Sequence, residues 1–167
     1  FEGMLSLGPY RTEDAGRQMN KEWSEVPEPL RKFQVGWNYR LPLWELVYHD
    51  CVVAHWYWGD HNHKLPALWD LRDRFNALYG TVPLFWLDID RFTKEPARFL
   101  QSYRDTIPIA RATGYSEMVD HRYLVADKSV QQTTFANGTR VIVNFGDRSA
   151  KIGARTIAPM GLQWETR

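Results

Sequence analysis

Two apolar runs on either side of a helical segment constrain the fold of this chain more than any other feature. The runs are "LPLWELVYHD" at residues 41–50 and "VPLFWLDIDRF" at residues 82–92. Each is too short for a buried helix of ordinary length, so each is predicted to be a buried strand of a parallel sheet or barrel. Residues 66–79 are predicted to be a helix, with Pro66 in its first turn and Gly80 at its stop.

The spacing of apolar residues indicates which side of each helix is buried. In the helix at residues 66–79, large apolar residues recur every three or four positions: Leu68, Leu71, Phe75 and Leu78. A second helix is predicted to begin at Pro96 and to end or bend at Pro108. Its predicted buried side carries Phe99, Leu100 and Tyr103.

The chain changes character after about residue 115. The stretches "HRYLVAD", "SVQQTTF" and "KIGARTIAPMGLQWE" are strand-like, and Asn137-Gly138 between two such runs is a strong hairpin signal. Short strands of this kind predict a small antiparallel β-sandwich. We therefore expect an α/β plus all-β chain, with an incomplete catalytic portion at residues 1–115 and a β-sandwich domain at residues 116–167.

The α/β portion is too small to be a closed (β/α)8 barrel. It supplies one or two βα units, whereas a barrel needs its full ring of strands. The sequence also begins with Phe1 rather than Met. We expect the chain to be the end portion of a larger enzyme, with an apolar surface that the remainder of the barrel upstream of Phe1 covers.

Composition argues against several classes of function. The chain has 21 Lys+Arg and 20 Asp+Glu, so its net charge of +1 argues against nucleic-acid binding through bulk charge. No apolar run is long enough to span a membrane. Cys51 is the single cysteine, which excludes an internal disulfide. The eight Trp are unusual, and they favour either a large core or a flat apolar surface for a ligand.

A candidate sugar-binding site lies where the first apolar run ends. If residues 41–50 form a barrel strand, His49 and Asp50 lie at its carboxyl end, where barrel enzymes carry their reactive groups. The following loop adds polar and aromatic residues: Trp56, Trp58, Asp60 and His61. Carboxylates and His hydrogen-bond sugar hydroxyls, while Trp stacks on the apolar face of a sugar ring. The alternative is a buried, hydrogen-bonded corner in which the Trp side chains pack the core.

Glu2 is the candidate catalytic acid. It lies between Phe1 and Met4 in a short apolar stretch, and desolvation there would raise its pKa. A glycosidase general acid needs a carboxyl group that keeps its proton near neutral pH. A retaining mechanism places a second carboxylate about 5–5.5 Å away, and we expect that carboxylate upstream of Phe1. The alternative for Glu2 is an ordinary carboxylate on the rim.

Metal binding and thiol chemistry are weaker interpretations. Six possible metal ligands lie within fifteen residues: His49, Asp50, His55, Asp60, His61 and His63. Their spacing departs from the tight ligand pairs of zinc sites. Asp88 and Asp90 could hold a cation, but they fit better as anchors for Arg91 or a loop. Cys51 could share a strand face with His49, yet a thiol nucleophile lacks an orienting frame.

Five stretches carry a resemblance to a known family: "RLPLWELVYHDCVV", "WYWGD", "PLFWLDIDRF", "ARATGYSEMVDHRYLVADKSVQQTTFANGTRVIVNFGD" and "IAPMGLQWE". They resemble the carboxyl-terminal part of bacterial α-N-acetylgalactosaminidase-type glycoside hydrolases related to families 129 and 101. In such enzymes a module like the one from "HRYL" to "NFGD" usually follows the barrel directly. It identifies a glycosidase architecture better than it identifies a substrate.

The resemblance implies a (β/α)8 barrel that retains anomeric configuration through an Asp nucleophile and a Glu acid/base. Glu2 is in the matching place for the acid/base, and the nucleophile has no counterpart in residues 1–167. The implied substrate is a carbohydrate or glycoconjugate with α-linked N-acetylgalactosamine or a related hexose. No metal or other cofactor is expected.

Two other functions stay open from the sequence. A non-catalytic carbohydrate-binding module would use the aromatic loop and the β-sandwich, and the chain alone would then bind sugar. A purely structural support domain would bury its aromatic residues, so that Trp58→Ala would damage folding more than affinity.

Overall fold

The computed structural model describes residues 28, 32, 36–56, 66–85 and 89–166 of the chain. In these ranges the helices are α1 Leu43–Tyr48, α2 Pro66–Tyr79, α3 Ile89–Lys94 and α4 Pro96–Thr113. The strands are β1 His55–Trp56, β2 Val82–Pro83, β3 Met118–Tyr123, β4 Val130–Phe135, β5 Arg140–Asn144, β6 Ala150–Ile152, β7 Arg155–Ile157 and β8 Leu162–Glu165. The architecture is a mixture of helices and antiparallel sheets, with one short parallel strand pair.

The strand predicted over residues 41–50 is wrong, because this run contains helix α1. Its last backbone bond runs from the N–H of His49 to the carbonyl oxygen of Glu45, 3.1 Å away. Glu45 and His49 lie four positions apart and are both buried, while Leu43 and Val47 face outward and are 65% and 63% exposed. A run this short carries no period that separates strand from helix.

The strand–helix–strand unit exists, but its first strand begins later than predicted. β1 pairs with β2 in parallel, with His55 opposite Val82 and Trp56 opposite Pro83. Helix α2 connects them, as a crossover between parallel strands requires. Among the described residues of the predicted run at 82–92, Val82–Pro83 form a strand and helix α3 begins at Ile89.

Helix α2 is confirmed over Pro66–Tyr79, and it is buried on nearly every side. Gly80 follows it with φ +67°, a left-handed conformation that glycine adopts at little cost. The predicted buried face is confirmed at Leu68, Leu71, Phe75 and Leu78.

Helix α4 begins at Pro96 as predicted, but it continues through Pro108 to Thr113. Phe99 is buried, whereas Leu100 and Tyr103 are 44% and 48% exposed, so that part of the predicted buried side is wrong. The buried stripe instead carries Phe99, Ser102, Thr106, Ile109, Ala110 and Thr113. The Ser102 hydroxyl of this stripe donates to Asp73 Oδ1 of α2 at 2.6 Å, whereas the hydroxyls of Thr106 and Thr113 donate to backbone carbonyl oxygens of α4 itself.

The carboxyl-terminal part is an antiparallel sheet in the order β3-β4-β5-β8. The predicted hairpin at Asn137-Gly138 is confirmed between β4 and β5, with Gly138 at φ 85°. Strand β5 is buried on both faces, since Val141 and Val143 pack toward α2 while Ile142 packs with Ile157 of β7. The β6–β7 pair therefore lies on the face of the sheet opposite α2.

One hydrophobic cluster joins α2 to this sheet. It combines Phe75 and Leu78 of α2 with Met118, Phe135 and Val143 of the strands. Contacts between α2 and β5 therefore bury side chains from both predicted parts of the chain, and the division at residue 115 stays a prediction. In the part of the chain that the structure describes, no helix has the length and apolar character needed to cross a membrane.

Candidate active site

The carboxyl ends of β1 and β2 define the edge of the molecule at which chemistry is expected. Both strands run in the same direction, so Trp56 and Pro83 end them side by side. We call this the carboxyl edge. In parallel α/β folds, reactive side chains lie at this edge because the loops that follow the strands meet there.

Trp56 is the last residue of β1 and so lies at the carboxyl edge, although its side chain is outside the described residues. The predicted sugar-contact residues Trp58, Asp60 and His61 follow it in the sequence, and they are also outside the described residues. The same holds for the predicted acid Glu2. Their roles stay predictions.

His49 lies in a different place from the one its predicted role assumed. It caps the carboxyl end of α1 and is 8% exposed. Its Nδ1 donates a hydrogen bond of 2.8 Å to the carbonyl oxygen of Ser116, and its ring centroid is 4.9 Å from that of Phe135. Asp50, the next residue, is exposed. The strand end that would have carried these two side chains to the rim does not exist.

The cavity beside His49 is too small for a sugar. Its volume is about 50 Å³, and its lining includes Trp44, Glu45 and His49. Ligand pockets usually measure roughly 300–1,000 Å³. Residues Val52–Ala54 and Gly80–Val82 also line it, and they lie just before β1 and β2 or at their start. The cavity is therefore at the amino ends of the strands, and the carboxyl edge lies at the other ends.

Glu45 is a buried acid that sequence reasoning missed. It is 6% exposed, and burial raises its pKa, while a backbone hydrogen bond, Arg40 and His49 oppose the shift. A protonated carboxyl group is what general-acid chemistry needs, but Glu45 faces the small cavity at the amino ends of the strands. Its position suits a structural role in the corner that contains His49.

Of the candidate residues for metal binding and thiol chemistry, the described ones include His49, Asp50, His55, Asp90 and Cys51. Within the described ranges, no three His, Cys, Asp or Glu side chains converge on a point that could hold a metal ion. His55 Nδ1 lies 3.4 Å from the carbonyl oxygen of Val82. His49 instead contacts Ser116, which lies between α4 and β3. Cys51 is exposed, with its Sγ 3.5 Å from the Tyr48 carbonyl oxygen. Asp90 is exposed in the first turn of α3.

The sequence model of one protein family matches residues 5–134 of this chain. That family is described as glycosyl hydrolases related to the GH101 family, GH129. The match covers well over half of the 167 residues. The chain belongs to the GH129 family.

Solved structures similar to this GH129 chain include three of the alpha-N-acetylgalactosaminidase NagBb from Bifidobacterium bifidum. A quadruple mutant is 28% identical over 64% of this chain and 16% of that chain, with a TM-score of 0.45. The ligand-free form is 27% identical with the same coverage and a TM-score of 0.44. The GalNAc complex is 24% identical over 78% of this chain and 19% of that one, with a TM-score of 0.46.

These TM-scores are low, so the family assignment rests on the match of the family's sequence model. This chain spans only 16% to 19% of the length of the NagBb chains. No match was found among curated proteins.

A buried arginine of the GH129 chain lies directly behind the carboxyl edge. Arg72 on α2 is 1% exposed, and its Nη1 donates a hydrogen bond of 2.9 Å to the carbonyl oxygen of Leu84. Its guanidinium lies 5.2 Å from the ring centroid of Phe85. Burial lowers the pKa of Arg72 to about 10, an effect that Asp73 opposes and Arg98 reinforces, so the side chain stays charged near neutral pH.

A polar network between α2 and α4 adjoins this arginine through Asp73, whose Oδ1 lies 4.0 Å from Arg72 Nη2. Asp73 accepts a hydrogen bond of 2.9 Å from Arg98, which also donates to Asp70 at 2.7 Å and lies over the Trp69 ring. Burial raises the pKa of Asp73, while Arg98 and Ser102 oppose the shift. The signal in the sequence is the "LRDRF" run, which places charges beside Leu71 and Phe75 on the buried face. The sequence analysis assigned this helix a single buried apolar face and did not predict the buried charges beside it.

Proposed function

We propose that this chain is part of a retaining glycoside hydrolase that cleaves α-linked N-acetylgalactosamine or a related hexose from a glycoconjugate. The observation that carries the proposal is membership of the GH129 family over residues 5–134. The names of the similar NagBb structures support the choice of sugar. The family supports the reaction class, and the sugar and the stereochemistry are proposed in addition.

In this proposal the chain forms the end of a (β/α)8 barrel followed by a β-sandwich. The parallel pairing of β1 with β2 through α2 supports the barrel, because parallel strands are typical of sheets covered by helices. The packing of β6–β7 over the β3-β4-β5-β8 sheet supports the second part. The partner of the chain is the remainder of the barrel, which would also supply the Asp nucleophile. This agrees with its 16% to 19% share of the NagBb length.

Glu2 is proposed as the acid/base. It would protonate the leaving oxygen and then activate water, with the nucleophile about 5–5.5 Å away. Trp56 and Trp58 would stack on the sugar ring, and Asp60 and His61 would bind its hydroxyls. The position of Trp56 at the end of β1 supports this arrangement. His49 is left out of the proposed contacts because it is buried and donates a hydrogen bond to the carbonyl oxygen of Ser116. Asp50 is exposed and stays a predicted contact with a sugar hydroxyl.

The test uses the full-length protein with aryl α-N-acetylgalactosaminides. Wild type should release the phenol, and NMR should show the α-anomer as the first product. Glu2→Gln should lose far more activity on a poor leaving group than on a good one, since only the poor one needs protonation. Equal loss on both substrates, or no loss, would argue against the acid role.

The aromatic contacts have a matched control in the chain. Trp58→Ala should raise KM, whereas Trp164→Ala on β8, which removes a 39% exposed indole, should leave KM unchanged. Sugar binding without hydrolysis by wild type would favour the carbohydrate-binding module. A Trp58→Ala variant with lower stability and unchanged KM would favour the structural interpretation.

A further inference from the structure

Arg72 contacts the two residues with which the chain leaves β2. Leu84 and Phe85 follow Val82–Pro83 directly, so they are the first residues at the carboxyl edge. Arg72 Nη1 donates to the carbonyl oxygen of Leu84 at 2.9 Å, and the guanidinium stacks over the Phe85 ring at 5.2 Å. One side chain thus restrains both the backbone of one residue and the ring of the next.

Arg72 is supported by charged and hydrogen-bonded partners on α2 and α4. Its Nη2 lies 4.0 Å from Asp73 Oδ1, so this carboxylate offsets the buried charge while Nη1 stays on Leu84. Asp73 is itself held by Arg98 at 2.9 Å and by Ser102 at 2.6 Å, both from α4. The exit of β2 is therefore tied to two helices through Arg72.

We propose that Arg72 is a positioning residue for the active site, which fixes Leu84 and Phe85 at the exit of β2 and thereby the geometry of the carboxyl edge. The inference rests on the proposed glycosidase function, because that function places substrate at this edge. Small displacements of groups around a bound substrate cost catalytic rate more than binding, since reactive geometry tolerates little error. Arg72 does not need to touch the sugar to act in this way.

The test compares Arg72→Met with Arg74→Met in the full-length protein. Both residues lie on α2, and Arg74 makes a 2.9 Å ion pair with Asp105 of α4. Arg72→Met should lower kcat on an aryl α-N-acetylgalactosaminide by roughly 10- to 100-fold with KM little changed. Arg72→Lys should recover part of this loss, because an ammonium group can still donate to Leu84. Arg74→Met should leave kcat unchanged and affect only the melting temperature.

Hydrogen–deuterium exchange of the peptide that contains Val82–Phe85 provides a readout independent of the substrate. Exchange should become faster in Arg72→Met and stay at the wild-type rate in Arg74→Met. If Arg72→Met lowers the melting temperature like Arg74→Met but keeps wild-type kcat and exchange, the proposal is overturned.

If Arg72→Met does not fold, Arg72→Lys decides: a lower kcat at an unchanged melting temperature supports the proposal, and wild-type kcat overturns it. If wild type hydrolyses no glycoside, the proposed function fails and the catalytic part of this inference fails with it. The exchange comparison then still decides whether Arg72 holds the exit of β2.

Discussion

Gly80→Ala is expected to destabilise the protein through two separable effects. Gly80 has φ +67°, and an L-residue in this left-handed conformation costs about 1–2 kcal/mol. A Cβ atom there would also clash with Thr113 Oγ1 and lie 2.8 Å from His49 Nε2 and 3.1 Å from Phe135 Cζ. Overpacking of a buried site costs about 1–3 kcal/mol. The free energy of unfolding should therefore fall by about 2–5 kcal/mol in total.

Gly153→Ala is the matched control. Gly153 has a similar φ of +61°, but a Cβ there meets nothing within 4 Å. Gain from the stiffer unfolded chain is common to both variants and cancels in the comparison. Urea unfolding followed by Trp fluorescence should place Gly80→Ala about 1–3 kcal/mol below Gly153→Ala, with similar m-values. Equal destabilisation would mean that the space around Gly80 and His49 is open, and His49 would then be free to contact a sugar.

Two further predictions concern the same corner. His49→Ala should lower the free energy of unfolding by about 1–3 kcal/mol through loss of the Ser116 hydrogen bond and the Phe135 contact, with KM unchanged in a hydrolysis assay; a raised KM at unchanged stability would restore His49 as a sugar contact. Burial raises the pKa of Glu45 above its usual value of 4.5, so the folded state binds this proton more tightly than the unfolded chain does. The contribution of this proton to stability is present below pH 4.5, and it is lost as the pH rises from 4.5 through the folded pKa. The stability of Glu45→Gln relative to wild type should therefore be higher at about pH 7 than at about pH 4 in urea unfolding, and a difference independent of pH would contradict the burial of this carboxyl group.

Local sequence signals predicted the elements that are long or carry specific turn chemistry. Helix α2 has apolar residues at regular spacing, a Pro in its first turn and Gly80 at its end, so its bounds could be read directly. The β4–β5 hairpin could also be predicted from the sequence, because Asn137-Gly138 suits the tight turn that joins two antiparallel strands. The quoted stretches also carried the family resemblance, and the match over residues 5–134 confirms it.

The candidate site could be predicted only in part. The sequence predicted a loop with sugar contacts over residues 51–64, and the structure instead places Trp56 of this run at the end of strand β1, at the carboxyl edge. It could not show that β1 starts at His55 instead of ending at Asp50, because both runs are short and apolar. Arg72 was overlooked because a charged residue on a helix is normally exposed.

The sequence by itself determined the family, the central helix and the hairpin, since each depends on residues close together along the chain. Tertiary structure decided the conformation of residues 43–48 and the environment of His49, whose hydrogen-bond partner Ser116 is 67 positions away. It also decided the burial of Arg72, which depends on contacts with Leu84 and on the support that α4 gives to Asp73. A short segment has no strong preference of its own, so its conformation follows from the distant surfaces against which it packs.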